Sequence, residues 1–131
     1  MTCRELKWMQ RMRGSVVLIL YALVVGGCQD SARNSNEIVI GHYASTTGNE
    51  ATFGQSTDNG IKLAVDEINE AGGIRGKKLR LITYDDKGDA REAGTAVTRL
   101  TTRDGVVAVL GEVASSLSLA GAPVCQQAGI P

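Results

Sequence analysis

The stretch from Gly60 to Asp89 restricts the fold of this chain more than any other part of the sequence. Its first half places apolar residues at helical spacing, and the resulting stripe consists of Ile61, Ala64, Val65 and Ile68. Because this pattern extends from about residue 55 to residue 70 and ends in paired glycines, it predicts one amphipathic helix. The apolar run Leu79–Tyr84 follows after a short turn and has the length of a strand. A helix that leads directly into an apolar strand indicates an α/β domain.

The same alternation of strand and helix recurs on both sides of this unit. The predicted strands cover Glu37–Tyr43, Leu79–Tyr84 and Val106–Leu110. A second helix is predicted from Asp89, its N-cap, to Thr102, with a buried stripe that consists of Ala93, Ala96, Val97 and Leu100. A third is predicted over Leu117–Ala128, where Pro123 is expected to bend or shorten it. Short links between alternating strands and helices predict parallel strands, right-handed crossovers and hence a doubly wound sheet.

The first 27 residues have the organisation of a signal peptide. Four basic residues and one acidic residue precede the apolar run Ser15–Val25, which is shorter than the roughly 20 residues needed to span a bilayer. Gly26, Gly27 and Cys28 come next, and V-G-G-C resembles the bacterial lipobox, at which a cysteine is acylated before cleavage on its N-terminal side. We therefore expect residues 1–27 to be removed and Cys28 to carry lipid, with an ordinary secretory signal as the alternative. The polar residues 28–36 are predicted to form a tether.

Composition is typical of a single soluble domain behind this leader. Hydrophobic residues make up 43% of the chain and charged residues 21%, and 14 basic residues balance 14 acidic ones. Since four of the basic residues belong to the leader, no basic cluster suited to nucleic acid is left. Cys3 would leave with the leader and Cys28 would carry lipid. Cys125 would then be the one thiol of the mature chain, so no intrachain disulfide is expected.

No group of residues has the sequence pattern of a catalytic or metal site. Asp85 and Asp86 end a strand, as some acidic metal ligands do, but the further acid and lysine of such pockets are not evident. We expect this pair to hydrogen-bond loops and to initiate the next helix. His42 is expected to be a structural residue of the first strand. The chain is therefore predicted not to be an enzyme, and neither a metal nor a cofactor is expected.

Several short motifs occur in one order between residues 37 and 131. They are T-G at Thr47, F-G at Phe53, the run N-G-I-K-L-A-V-D-E-I-N-E-A-G-G-I-R-G-K-K-L, two aspartates, G-x-x-x-S-S from Gly111 and the final A-G-I-P. In these motifs the chain resembles the start of the periplasmic solute-binding proteins of the branched-chain amino-acid type, which serve ATP-driven (ABC) importers. The resemblance implies that residues 37–131 are part of the N-terminal lobe of a type I periplasmic binding protein. Since the second lobe and the hinge lie beyond Pro131 in that family, the sequence is expected to be a fragment.

The resemblance also implies which residues meet the solute. In this family the G-x-x-x-S-S turn binds the carboxylate of the ligand, which assigns that role to Ser115 and Ser116, with Val113 and Ala114 in the same wall. Phe53 stands where relatives often carry an aromatic residue over the side chain of the ligand. Two alternatives stay open: Ser115 only caps a helix, and Phe53 only packs.

Partners and location follow from the same resemblance. The expected function is capture of a small amino-acid-like solute for an ABC permease and its ATPase subunits, outside the cytoplasm and on a membrane through the lipid at Cys28. A ligand-sensing receptor of the same fold is one alternative, and a small flavodoxin-like envelope enzyme is another. Glu112 departs from the family pattern, because it puts a carboxylate near a site expected to receive an anion and could alter the choice of ligand.

Overall fold

The computed structural model describes residues 36–131. The predicted signal peptide, Cys28 and almost all of the predicted tether lie outside the described residues. In chain order the elements are β1 (Glu37–Ala44), α1 (Ala51–Glu70), β2 (Lys78–Asp85), α2 (Ala90–Arg99), β3 (Ala108–Leu110) and α3 (Ser115–Ala128). A π-helical turn, Leu100–Asp104, continues α2. None of the helices in this part of the chain is both long enough and apolar enough to span a membrane.

The three strands form one parallel sheet in the order β2-β1-β3, which confirms the predicted α/β fold class. β1 pairs along its whole length with β2, from Glu37 opposite Lys78 to Ala44 opposite Asp85. Its other edge pairs with the short β3, where Ile40 lies opposite Ala108. β1 is therefore the central strand, although it comes first in the chain.

Helices lie on both faces of this sheet, as a doubly wound fold requires. His42 and Tyr43 are neighbours in β1, so their side chains point to opposite faces. His42 lies within hydrogen-bonding distance of Asp58 on α1. Tyr43 lies on the other face in a buried cluster with Ala93, Ala96, Val97 and Leu117 from α2 and α3. The sheet thus separates α1 from the pair formed by α2 and α3.

The predicted stripe of α2 is confirmed, whereas that of α1 is only partly right. Every member of the α2 stripe is buried. On α1, Ala64 and Ile68 are exposed, and the buried residues are Gly54 and Asp58. Polar contacts set this rotation of α1, because Asp58 accepts a hydrogen bond from Thr83 and Asn69 makes two with the backbone of Leu79. The face of α1 that contacts the sheet includes a glycine, an aspartate and an asparagine, so the spacing of apolar residues alone does not identify it.

Several predicted boundaries were wrong by a few residues. α1 begins at Ala51 rather than near residue 55, so Phe53 lies in its first turn. β3 begins at Ala108 rather than Val106. α3 begins at Ser115 rather than Leu117 and continues through Pro123 to Ala128, because its packing on α2 outweighs the lost helical hydrogen bond. Gly129 ends it with φ 66°, a left-handed conformation that glycine adopts without strain.

His42 is a structural residue of β1, as predicted, but only one of its two ring nitrogens has a hydrogen-bond partner among the described residues. Its ring is fully buried, and Nδ1 lies 3.4 Å from the Asp58 carboxylate. Nε2 has no hydrogen-bond partner among the described residues. Burial lowers the pKa of His42 below its ordinary value, although the hydrogen bond with Asp58 opposes this effect. The buried ring is therefore part of the contact between β1 and α1.

Candidate functional site

The loops that follow β1, β2 and β3 meet at the carboxyl ends of the strands, which is where open parallel sheets bind ligands. Asp85 holds the first of these loops. Its carboxylate accepts hydrogen bonds from the amides of Thr46 (2.9 Å) and Thr47 (3.2 Å) and from the Thr47 hydroxyl (2.5 Å). Burial acts to raise the pKa of Asp85, but hydrogen bonds from Thr47 and Lys87 outweigh it and leave the pKa below its ordinary value. Asp85 is thus a loop-binding carboxylate, as predicted.

Asp86 also holds the loop that follows β1. It is fully buried, and its Oδ1 accepts hydrogen bonds from the Ser45 hydroxyl (2.7 Å) and the Gly88 amide (3.0 Å). Asp89 directly precedes α2, and its side chain accepts hydrogen bonds from the amides of Arg91 and Glu92, so it is the predicted N-cap. Asp85 and Asp86 therefore position both the loop after β1 and the loop after β2.

Glu112 connects the loop after β1 to the loop after β3. Its Oε1 accepts a hydrogen bond from the Ser45 amide (3.0 Å), and its Oε2 accepts one from the Ala114 amide (2.5 Å). The Ser118 hydroxyl donates to the Glu112 carbonyl oxygen (2.8 Å). Sequence reasoning missed Ser45 and Ser118, and it noticed Glu112 only for its charge. Ser45 and Glu112 are 67 residues apart, and no local pattern in one sequence links them.

The N-terminus of α3 offers hydrogen-bond donors that the protein does not use. Ala114 is its N-cap, without a side-chain cap, so the alternative that Ser115 caps the helix is wrong. The amides of Leu117 and Ser118 both donate to the Ala114 carbonyl oxygen. Within residues 36–131, the amides and hydroxyls of Ser115 and Ser116 have no hydrogen-bond partner, and both residues are exposed. Free amides at the positive end of a helix are suited to a carboxylate.

A pocket of about 170 Å³ lies beside this helix terminus. It is lined by Phe53, Val113 and Ala114, three of the predicted site residues, and by Glu50 and Glu112, which were not predicted to contact the solute. Phe53 is 61% exposed and belongs to no core cluster of residues 36–131, so it has no packing role within this part of the chain. Small-molecule sites usually enclose roughly 300–1,000 Å³, so this pocket is the size of a partial site. Contact of Phe53, Val113, Ala114, Ser115 and Ser116 with a solute stays a prediction.

Other groups in the described part of the chain show no sign of chemistry. No three His, Cys, Asp or Glu side chains within residues 36–131 are placed to hold a metal ion. Cys125 is half-buried and packs against the Tyr43 cluster. Burial raises the pKa of its thiol, so the unreactive protonated form is favoured.

Comparisons with known proteins agree with this architecture. Residues 37–131 match the family model described as periplasmic binding protein. An amino acid binding protein of Pseudomonas aeruginosa is 36% identical over 94 residues, which are 72% of this chain and 25% of the relative. The Leu/Ile/Val-binding protein BraC3 of Rhizobium johnstonii has the same identity and coverage. These relatives are named as binding proteins, in agreement with the prediction that the chain is not an enzyme.

Two solved structures illustrate the likeness in fold. One is the branched-chain amino acid transporter substrate binding protein LivJ from Streptococcus pneumoniae, in complex with isoleucine, with a TM-score of 0.71 and 38% identity over 72% of this chain and 27% of that one. The other is the leucine binding protein LivK from Thermotoga maritima, with a TM-score of 0.66 and 31% identity over 72% of this chain and 26% of that one. The chain spans about a quarter of the length of the relatives that it matches. By its sequence and its fold, it belongs to the periplasmic binding protein family.

Proposed function

We propose that this chain supplies one wall of an extracytoplasmic receptor that captures a small amino-acid-like solute. The observation that carries the proposal is the start of α3, where the amides and hydroxyls of Ser115 and Ser116 are exposed and unpaired beside the Phe53 pocket. These donors, at the positive end of a helix, would bind the carboxylate of the solute. Phe53, Val113 and Ala114 would cover its apolar part.

Delivery to an ABC permease and its ATPase subunits is the second part of the proposal. It is supported by solved structures that are named as transporter substrate-binding proteins. A sensing role would use the same pocket, and no feature of residues 36–131 favours it. Genes for a permease and an ATPase beside this one would support import, and a neighbouring signalling module would contradict it.

The proposal also includes a lipid anchor at Cys28 that holds the receptor on the outer side of a membrane. Growth with radiolabelled palmitate is expected to label the mature chain, and Cys28→Ala is expected to abolish the label and leave the leader uncleaved. Cys125→Ala is the matched control, because it removes a thiol without touching the lipobox. Cleavage of the Cys28→Ala chain at the same place would instead indicate an ordinary secretory signal.

Binding is best tested on the full 131-residue chain, labelled with ¹⁵N and kept soluble in detergent micelles. Pools of L-amino acids are expected to shift the amide signals of Ser115 and Ser116, with dissociation constants in the millimolar range. Affinity should be this weak because the 131 residues tested span a quarter of their relatives' length, so they supply only part of the contacts expected in a complete site. The corresponding amino-acid amides, which lack the carboxylate, should not shift these signals.

A proline substitution separates binding from folding at this position. Ser115 is the first helical residue after Ala114, whose φ of −83° and ψ of 120° suit the residue before a proline. Ser115→Pro should therefore keep α3 and remove both an amide and a hydroxyl donor, so that the amino-acid-induced shift of the remaining reporter, the Ser116 amide, is lost. Ser56→Ala, an exposed serine on α1, is the control. An unchanged shift of the Ser116 amide in the Ser115→Pro chain, or equal shifts with amino-acid amides in the unsubstituted chain, would contradict the proposed carboxylate site.

A further inference from the structure

We propose that the Phe53 pocket receives a positively charged group of the solute and that Glu112 is the residue that selects it. The proposal rests on the proposed function, since it concerns the same pocket. It differs in the kind of solute, because the curated relatives cited above are named for neutral or unspecified amino acids. A basic amino acid would fit both the donors of α3 and this pocket.

The first argument is the fixed position of the Glu112 carboxylate. Glu112 is one of the residues that line the pocket, and the amides of Ser45 and Ala114 each hold one of its carboxylate oxygens. A carboxylate offers about four acceptor positions. The Ser45 amide, the more distant Ser45 hydroxyl (3.3 Å) and the Ala114 amide use three at most. The carboxylate can thus accept another donor without giving up its present contacts.

The second argument is the rest of the pocket lining. Glu50 lies just before α1, and its carboxylate makes no hydrogen bond or ion pair with residues 36–131. No basic residue is among the described residues that line the pocket. A cation entering it would therefore be near two glutamates that form no ion pair with a described lysine or arginine.

The third argument is the aromatic ring that lines the same pocket. The Phe53 side chain is 61% exposed and lines the same pocket as both glutamates. The face of an aromatic ring attracts ammonium and guanidinium groups, whereas it does not attract a carboxylate. An exposed ring with two carboxylates therefore matches a lysine-like ammonium or an arginine-like guanidinium better than a purely aliphatic side chain.

A pair of probes isolates the charge. L-Lysine and L-norleucine have nearly the same length and the same α-amino-acid group, but only lysine carries a side-chain ammonium. In ¹⁵N titrations of the full chain, lysine is expected to bind about three- to fivefold more tightly than norleucine, as judged from the shifts of Ser115 and Ser116. The preference should shrink as salt is raised from 20 to 500 mM, because exposed charges are screened.

Three variants assign the preference to particular residues. Glu112→Gln is expected to remove most of it. Glu50→Gln should reduce it without touching any described contact, so it remains informative if Glu112→Gln disturbs the loops. Glu70→Gln, at the other end of α1, should leave it unchanged.

The outcomes separate this inference from the proposed function. Equal affinities for lysine and norleucine, or a preference that survives both Glu112→Gln and Glu50→Gln, would overturn the cation proposal and leave the carboxylate site standing. If neither probe shifts Ser115 and Ser116, both proposals fail. A lysine preference that both variants reduce would establish the two glutamates as specificity residues.

Discussion

Replacing Gly54 with alanine is expected to destabilise the chain by about 3 kcal/mol or more. A Cβ atom at this position would lie 2.1 Å from the Ser45 carbonyl oxygen and 2.5 Å from its carbon, far inside contact distance. Both are backbone atoms, so no side-chain rotation relieves the clash, and α1 would have to move away from the loop after β1. Urea unfolding of the two chains, followed by circular dichroism, measures the loss.

The matched control lies on the same helix. Gly60 is exposed, and a Cβ atom there would meet nothing within 4 Å. Gly60→Ala should stabilise the chain by roughly 0.5–1 kcal/mol, because alanine loses less backbone entropy in a helix. Similar effects of the two substitutions would contradict the close approach of α1 to Ser45.

The second large effect is expected at Leu100, the largest fully buried side chain in the described part of the chain. Its methyl groups would lie 2.9 to 3.0 Å from a Cβ atom at Gly41, so the side chain fills the space that this glycine leaves above β1. Leu100→Ala should cost about 2–5 kcal/mol, since it exchanges apolar contacts for a cavity. The free energy of unfolding in urea is again the measurement.

Leu119→Ala is the same substitution at an exposed position and serves as the control. Leu119 lies on α3 and is 73% exposed, so Leu119→Ala should change the free energy of unfolding by no more than about 0.5 kcal/mol. A cost at Leu100 as small as that at Leu119 would show that the π-helical turn does not hold Leu100 in the core.

Local patterns were enough to predict the fold class but not every contact. The α2 stripe was right because it contains only apolar residues, which have one way to avoid water. The α1 stripe was partly wrong because Asp58 and Asn69 fix the rotation of that helix through hydrogen bonds with β2. Such contacts depend on which strand the helix packs against, and the residues near the helix in the sequence do not reveal this.

The candidate site likewise contains residues that were predicted and residues that only the structure revealed. The family resemblance led to Phe53 and to the serines that begin α3, and the structure places the Phe53 pocket beside that helix terminus. Glu50, which lines this pocket, was not among the predicted site residues. The connection between Ser45 and Glu112 spans most of the domain in sequence, so only the parallel register of β1 with β3 brings the two together.

The central position of β1 has a consequence for how the chain is made. β1 leaves the ribosome before either neighbour exists, and its partners Lys78–Asp85 and Ala108–Leu110 follow only much later in synthesis. Pairings between such distant segments form slowly, so the growing chain stays open for a comparatively long time. For a protein proposed to act outside the cytoplasm, late closure of the sheet is an advantage, because a chain that has not yet folded can pass through a narrow membrane channel.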